Sequence, residues 1–162
     1  MSSSLGSRRL TKRNDLEDLL VRCRSFGERD RPVVLTNGCF DLLHFGHIHT
    51  ITESAKLGTL VVALNSDASI RRLKGDGRPV DDLDRRAQKL TQLGNIDYIV
   101  VFEEDTPRAL IERLKPDVLV KGGDYALDEI VGRELVESYG GSVTTVSYLE
   151  GHSTSAQLNN PE

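Results

Sequence analysis

Five short apolar runs punctuate the chain: Pro32–Thr36, Leu60–Leu64, Tyr98–Phe102, Val118–Val120 and Val143–Ser147. They are continuous rather than alternating. A strand that faces water on one side alternates apolar and polar residues, whereas a strand buried on both faces does not. The runs therefore predict five strands of a parallel sheet covered on both sides. Between them the apolar residues recur at helical spacing. Leu16, Leu19, Leu20 and Cys23 predict a first helix to about residue 28, opened by Asn14 with Glu17 three positions on, a capping-box pattern. Further helices are predicted over Phe45–Leu57, stopped by Gly58; over Asp67–Leu73; over Leu83–Leu93, ending at Gly94; and over Pro107–Leu114, with Pro107 in the first turn. Two more are predicted over Val131–Tyr139, closed by Gly140-Gly141, and from Ser153 to Leu158.

Strict strand–helix alternation predicts an α/β fold with a doubly wound, five-stranded parallel sheet of Rossmann-like type. Ligands of such sheets bind at the carboxyl ends of the strands, where the strand order reverses. No repeat or linker divides the chain. A mobile tail over residues 1–13 and a single domain over 14–160 are expected.

Composition narrows the classes of function. The 162 residues carry a formal net charge of −4, which argues against a general nucleic-acid binder and its basic face. Cys23 and Cys39 lie far apart and without CxxC spacing, so neither a disulfide framework nor a zinc site is predicted, and a reducing compartment fits. No apolar segment suggests a leader or a membrane span. A cytoplasmic protein is expected, with no nucleic-acid or membrane partner.

Candidate chemistry concentrates after the first strand, in Asn37-Gly-Cys-Phe-Asp41 and His44-Phe-Gly-His47. Gly38 lets the backbone approach a ligand at the strand end. The helix that follows presents unpaired N–H groups and a partial positive charge, an anion site. His44 and His47, three apart, project from the first turn to one side, and Gly46 between them leaves room for a phosphate or a base. Each imidazole can donate a hydrogen bond to a phosphate oxygen. A metal held by His44, His47 and Asp41 is the weaker alternative, because helical metal pairs use i, i+4 spacing and no third ligand is marked; no metal site is predicted. His49 lies off this face.

The pattern Gly38-x-Phe40-Asp41-x-x-His44-x-Gly46-His47 resembles the signature of the cytidylyltransferase-like nucleotidyltransferases. Asn65-Ser-Asp through Lys74-Gly-Asp-Gly-Arg-Pro-Val80, Phe102–Pro107, Val120-Lys-Gly-Gly-Asp-Tyr125 and Glu150-Gly-His-Ser-Thr154 resemble the D-glycero-β-D-manno-heptose 1-phosphate adenylyltransferase branch. That resemblance implies attack of heptose 1-phosphate on the α-phosphate of ATP, with release of pyrophosphate, magnesium bound mainly through the triphosphate, a separate sugar kinase upstream and a homodimer. It assigns His44, His47 and Lys74 to catalysis. It places Asn37, Gly38, Cys39, Phe40, Arg86, Lys121, Gly123, Asp124, Ser153 and Thr154 on the nucleotide, and Asp41, Arg72 and Lys74 on the acceptor. Cytidylyltransferases acting on glycerol phosphate carry an Arg where this chain has Tyr148. His152 replaces the Cys or Ile expected beside the last motif. The alternatives are a cytidylyltransferase for another polyol phosphate, such as glycerol 3-phosphate, and a nucleotide-binding regulatory module without activity.

Overall fold

The computed structural model describes residues 13–123 and 126–147. The elements in chain order are α1 (Leu16–Cys23), β1 (Val33–Gly38), α2 (Phe45–Ala55), β2 (Thr59–Asn65), α3 (Asp67–Lys74), α4 (Leu83–Thr91), β3 (Tyr98–Phe102), α5 (Arg108–Leu114), β4 (Val118–Gly122), a 3-10 turn (Leu127–Glu129), α6 (Arg133–Ser138) and β5 (Ser142–Val146). The sheet is wholly parallel, in the order β3-β2-β1-β4-β5. All five predicted strands are present. The predicted helix at Ser153–Leu158 and the tail over residues 1–12 lie outside the described residues.

The continuous apolar runs have the expected cause. Successive residues of β2 serve opposite faces: Val61 and Ala63 pack with Leu19, Ile111 and Val136, whereas Leu60, Val62 and Leu64 pack with Ile51 and Leu90. Helices α1, α5 and α6 thus cover one face, and α2 and α4 the other. A fully buried Leu or Ile contributes roughly 1.5–3 kcal/mol of transfer free energy, so both layers hold the sheet. Strand β5, at one edge, is only partly covered along its length, which accounts for Thr144 and Thr145 within it.

Three local expectations are corrected. Asp15, not Asn14, caps α1: its carboxylate accepts from the Asp18 N–H at 2.9 Å. Asn14 donates its backbone N–H to the Ile99 carbonyl instead, closing the free edge of β3. Helix α1 ends at Cys23 rather than near residue 28 because Arg24 adopts φ +66°. The Arg29 guanidinium, donating to the carbonyls of Cys23, Arg24, Leu114 and Lys115 and to Asp117, holds the following turn in place. Helix α2 ends at Ala55 without help from Gly58. Gly58 is needed for a different reason: a methyl group there would sit 2.2 Å from the Pro32 carbonyl oxygen.

Cys23 and Cys39 are both buried and form no disulfide. Burial pushes the Cys23 thiol up to about 11, which makes it an inert packing group. No helix among the described residues is long and apolar enough to cross a membrane.

Candidate active site

The strand order reverses between β1 and β4. A cavity of about 200 Å³ opens at the carboxyl ends of these strands, where a doubly wound sheet binds ligands. Asn37, Gly38, Cys39 and Phe40 from the end of β1, His47 from α2, Lys74 from the end of α3 and Lys121 from β4 all line it. Thr50, Asn65, Leu73, Phe102, Asp105, Pro107 and Gly122, with Thr36 of β1, complete the wall. The sequence held Asn65, Leu73, Phe102, Asp105, Pro107 and Gly122 within motif blocks but assigned them no role in the site, and Thr50 carried no signal. The one available signal was position, since most of them fall at the end of a strand or just beyond it.

Between β1 and α2 the chain makes a tight turn with two non-glycine residues in the left-handed region, Phe40 at φ +48° and Leu42 at φ +54°. Such residues cost of order 1–3 kcal/mol each and persist where their surroundings impose them. Here the turn aims the Phe40 ring edge-on at His47, with centroids 5.1 Å apart. His47 in turn stacks on His44 at 3.8 Å.

His44 is the N-cap of α2. Its Nδ1 accepts from the Gly46 N–H at 3.0 Å, and the His47 Nδ1 accepts from the His44 N–H at 3.2 Å. The capping role and the chemical role are therefore compatible. A neutral imidazole that accepts at Nδ1 carries its proton at Nε2, so the backbone selects the tautomer in which each ring donates from Nε2. His47, 4% exposed, forms part of the cavity wall. His44 stacks on it and is not part of that wall.

Asp41 and Arg86 were expected at the ligand; the structure uses both to support the site. The Asp41 carboxylate is fully engaged: one oxygen accepts from Arg78 Nε at 2.9 Å and from the Val80 N–H at 2.8 Å, the other from the Asp81 N–H at 2.8 Å. Burial works to raise its pKa. The N–H groups of Asp81 and Val80 and the Arg78 guanidinium outweigh that and hold the carboxyl below its usual range. Arg86 is 1% exposed. It donates to the carbonyls of Cys39 and Asn65, each at 2.9 Å, to the Asp81 carbonyl at 3.1 Å and to Asp67 Oδ1 at 2.6 Å. One side chain thus ties the carboxyl ends of β1 and β2 to the segment that Asp41 grips.

Arg72, also expected at the acceptor, points elsewhere. It donates to Asp105 Oδ1 at 3.1 Å and to the Glu103 carbonyl, joining α3 to the loop after β3. The two glycines after Lys121 have separate jobs. A methyl group on Gly122 would fall 2.1 Å from Thr50 Oγ1, so this glycine lets α2 lie against β4, while Gly123 takes φ +102° in the turn beyond. Asp124, Tyr148, His152, Ser153 and Thr154 lie outside the described residues.

Fold and cavity together define an α/β protein of nucleotide-binding type, with its candidate site at the strand–His-x-Gly-His–helix junction. The chain belongs to the Cytidylyltransferase-like family, whose pattern matches residues 35–154. Among curated proteins it is similar to the bifunctional protein HldE of Geobacter sulfurreducens, 59% identical over 125 residues, covering 76% of this chain and 26% of the relative. The bifunctional protein HldE of Syntrophotalea carbinolica is 53% identical over 143 residues, covering 88% and 29%. The chain thus spans less than a third of the length of these relatives. Among solved structures, a lipopolysaccharide core biosynthesis protein from Thermoplasma volcanium is 29% identical with a TM-score of 0.62, covering 74% of this chain and 98% of that one. A pantoate-beta-alanine ligase from Francisella tularensis, in complex with beta-gamma ATP and beta-alanine, shares the fold at 14% identity and a TM-score of 0.60, covering 83% and 65%.

Proposed function

We propose that the chain transfers the adenylyl group of ATP to D-glycero-β-D-manno-heptose 1-phosphate, giving ADP-heptose and pyrophosphate. The observation that carries the reaction type is the pair of imidazoles whose Nδ1 atoms are occupied by backbone N–H groups at the mouth of α2. The choice of sugar is supported by the similarity to the HldE proteins and by the motif blocks that follow β2, β3 and β4.

An oxygen of the sugar phosphate forms a bond to the α-phosphorus as the bond from that phosphorus to the bridging oxygen breaks. The electron pair leaves with pyrophosphate. No covalent enzyme intermediate is required, and catalysis consists of positioning and charge neutralisation. His47, supported by His44, donates from Nε2 to the phosphate oxygens on which charge builds. Lys74 and Lys121 flank the cavity as the cations that hold phosphates of the two substrates. Asn37, Gly38, Cys39 and Phe40 border the nucleotide, and Gly123, Asp124, Ser153 and Thr154 extend the nucleotide site. Among the described residues no group of three His, Cys, Asp or Glu side chains is placed to hold a metal. Magnesium travels with the triphosphate oxygens.

Residues 14–160 form one catalytic unit, active in the cytoplasm as a homodimer. A sugar kinase activity must supply the heptose 1-phosphate. The test is a matrix of nucleoside triphosphates against sugar and polyol phosphates, with magnesium and pyrophosphate detection. Turnover with ATP and heptose 1-phosphate is expected. Pyrophosphate release only with CTP and glycerol 3-phosphate, or with no acceptor at all, would overturn the proposal.

A further inference from the structure

A second cavity of about 250 Å³ adjoins the first and shares Asn37, Asp105, Pro107 and Lys121 with it. Its remaining wall is Thr106, Glu129, Ile130 and Val131. The two chambers differ in charge. The first has His47, Lys74 and Lys121 set against Asp105. The second keeps Lys121 as its only cation among the described residues and sets two carboxylates, Asp105 and Glu129, against it. With Asp105 paired to Arg72, the second chamber has Lys121 balanced by Glu129 and no surplus positive charge, so a polyphosphate favours the first. An uncharged body rich in hydroxyl groups has the opposite preference, because a carboxylate accepts hydroxyl protons with both oxygens.

Both carboxylates are oriented by the protein itself. Glu129 Oε1 accepts the Ala126 N–H at 3.2 Å, which fixes the group at the start of the 3-10 turn. Asp105 is held by Arg72 at 3.1 Å. Beside them Pro107 and Ile130 present apolar surface, and Val131 is 49% exposed, a surface suited to the C–H face of a sugar ring.

We infer that this second chamber is the acceptor subsite: it takes the hydroxylated body of the sugar phosphate, with Glu129 and Asp105 accepting its hydroxyl protons. The acceptor's phosphate then lies at the shared wall beside Asn37 and Lys121, facing the nucleotide in the first chamber. Glu129 is thereby a specificity residue for the acceptor and not for the base. The inference rests on the proposed reading that the acceptor is a sugar phosphate.

The test uses the full chain and two variants, Glu129→Gln, which keeps the acceptor for the Ala126 N–H, and Val131→Trp, which fills the chamber from an exposed position. Steady-state kinetics are measured separately for ATP and for heptose 1-phosphate, with thermal denaturation to verify folding. Loss of one charge-assisted hydrogen bond predicts a fall of roughly 10–100-fold in kcat/KM for the sugar phosphate, while KM for ATP stays within about twofold. Binding of ADP-heptose should weaken by a similar factor and binding of ADP should not, a split that a general loss of structure does not produce. If the wild type makes ADP-heptose and both variants keep its acceptor kinetics, or if KM for ATP rises instead, the inference is wrong and the proposed function stands. If the wild type transfers no nucleotide to any sugar phosphate, both are wrong.

Discussion

Replacing Arg86 with Met should destabilise the protein severely while removing no group from the cavity wall. The guanidinium is wholly buried and makes four hydrogen bonds, two to the carbonyls of Cys39 and Asn65, one to the Asp81 carbonyl and one to Asp67. Met approximates the length and volume of the side chain, so the packing loss is small. The electrostatic loss is not. Cys39 and Asn65 are 8% and 5% exposed, and the carbonyls they present to Arg86 lose a charged donor. Each such loss costs about 1–3 kcal/mol. Asp67, whose side chain is 34% exposed, regains water and adds little. Two stranded carbonyls together therefore cost about 2–6 kcal/mol. For a domain of this size that lowers Tm by roughly 4–24 °C. Thermal denaturation followed by circular dichroism measures the shift, and Arg86→Lys should recover part of it by restoring one or two of the bonds. A Tm unchanged in Arg86→Met, together with a selective rise in KM for ATP, would refute the reasoning and put the guanidinium on the nucleotide.

Other perturbations separate chemistry from framework. His47→Ala should lower kcat by roughly 10²–10³-fold, the usual loss for one transition-state donor; near-normal turnover in the purified variant removes His47 from the reaction. Gly122→Ala drives a methyl group into Thr50 Oγ1 and should cost about 1–3 kcal/mol in urea denaturation, with Thr50→Ala in the same chain recovering much of it; strictly additive losses would contradict the contact. Asp41, held below its usual pKa in the folded state, contributes stability that is present above the ordinary carboxylate value near 4 and lost as pH falls through the lowered folded value. Stability of the wild type should therefore decline on acidification below about pH 4 more steeply than that of Asp41→Asn, and parallel curves for the two proteins count against the clamp.

The sheet was legible because its strands are buried on both faces, so burial alone wrote the apolar runs into the sequence. Strand β1 simply extends two residues further, to Gly38, than the run Pro32–Thr36 indicates. The helix ends were less legible, because their causes are remote. Arg29 closes the turn after α1 through carbonyls more than eighty residues away, and no local pattern contains that. The glycines illustrate the same limit. Gly58 reads as a helix stop and Gly122 only as part of a motif block, but each answers to one atom brought from elsewhere in the chain, the Pro32 carbonyl and the Thr50 hydroxyl. At the site, the strand end and the His pair could be read from spacing, since strand, glycine and helix start are contiguous. The contacts that Asp41 and Arg86 make could not be read in the same way, because their partners at residues 78–81, 39 and 65 become neighbours only in the folded chain.

The same ring atoms that start α2 also set the protons of the two imidazoles, and this constrains how the protein can be changed. Ser, Thr, Asp and Asn are better helix caps than His, so a redesign scored on stability alone would install one of them at position 44. Such a protein would keep its fold and melt at a higher temperature. It would also lose the ring that stacks on His47, while the N–H of residue 44 that holds the His47 tautomer would remain. A stabilised variant without the stacked His pair is thus the outcome that blind optimisation of this helix start would select.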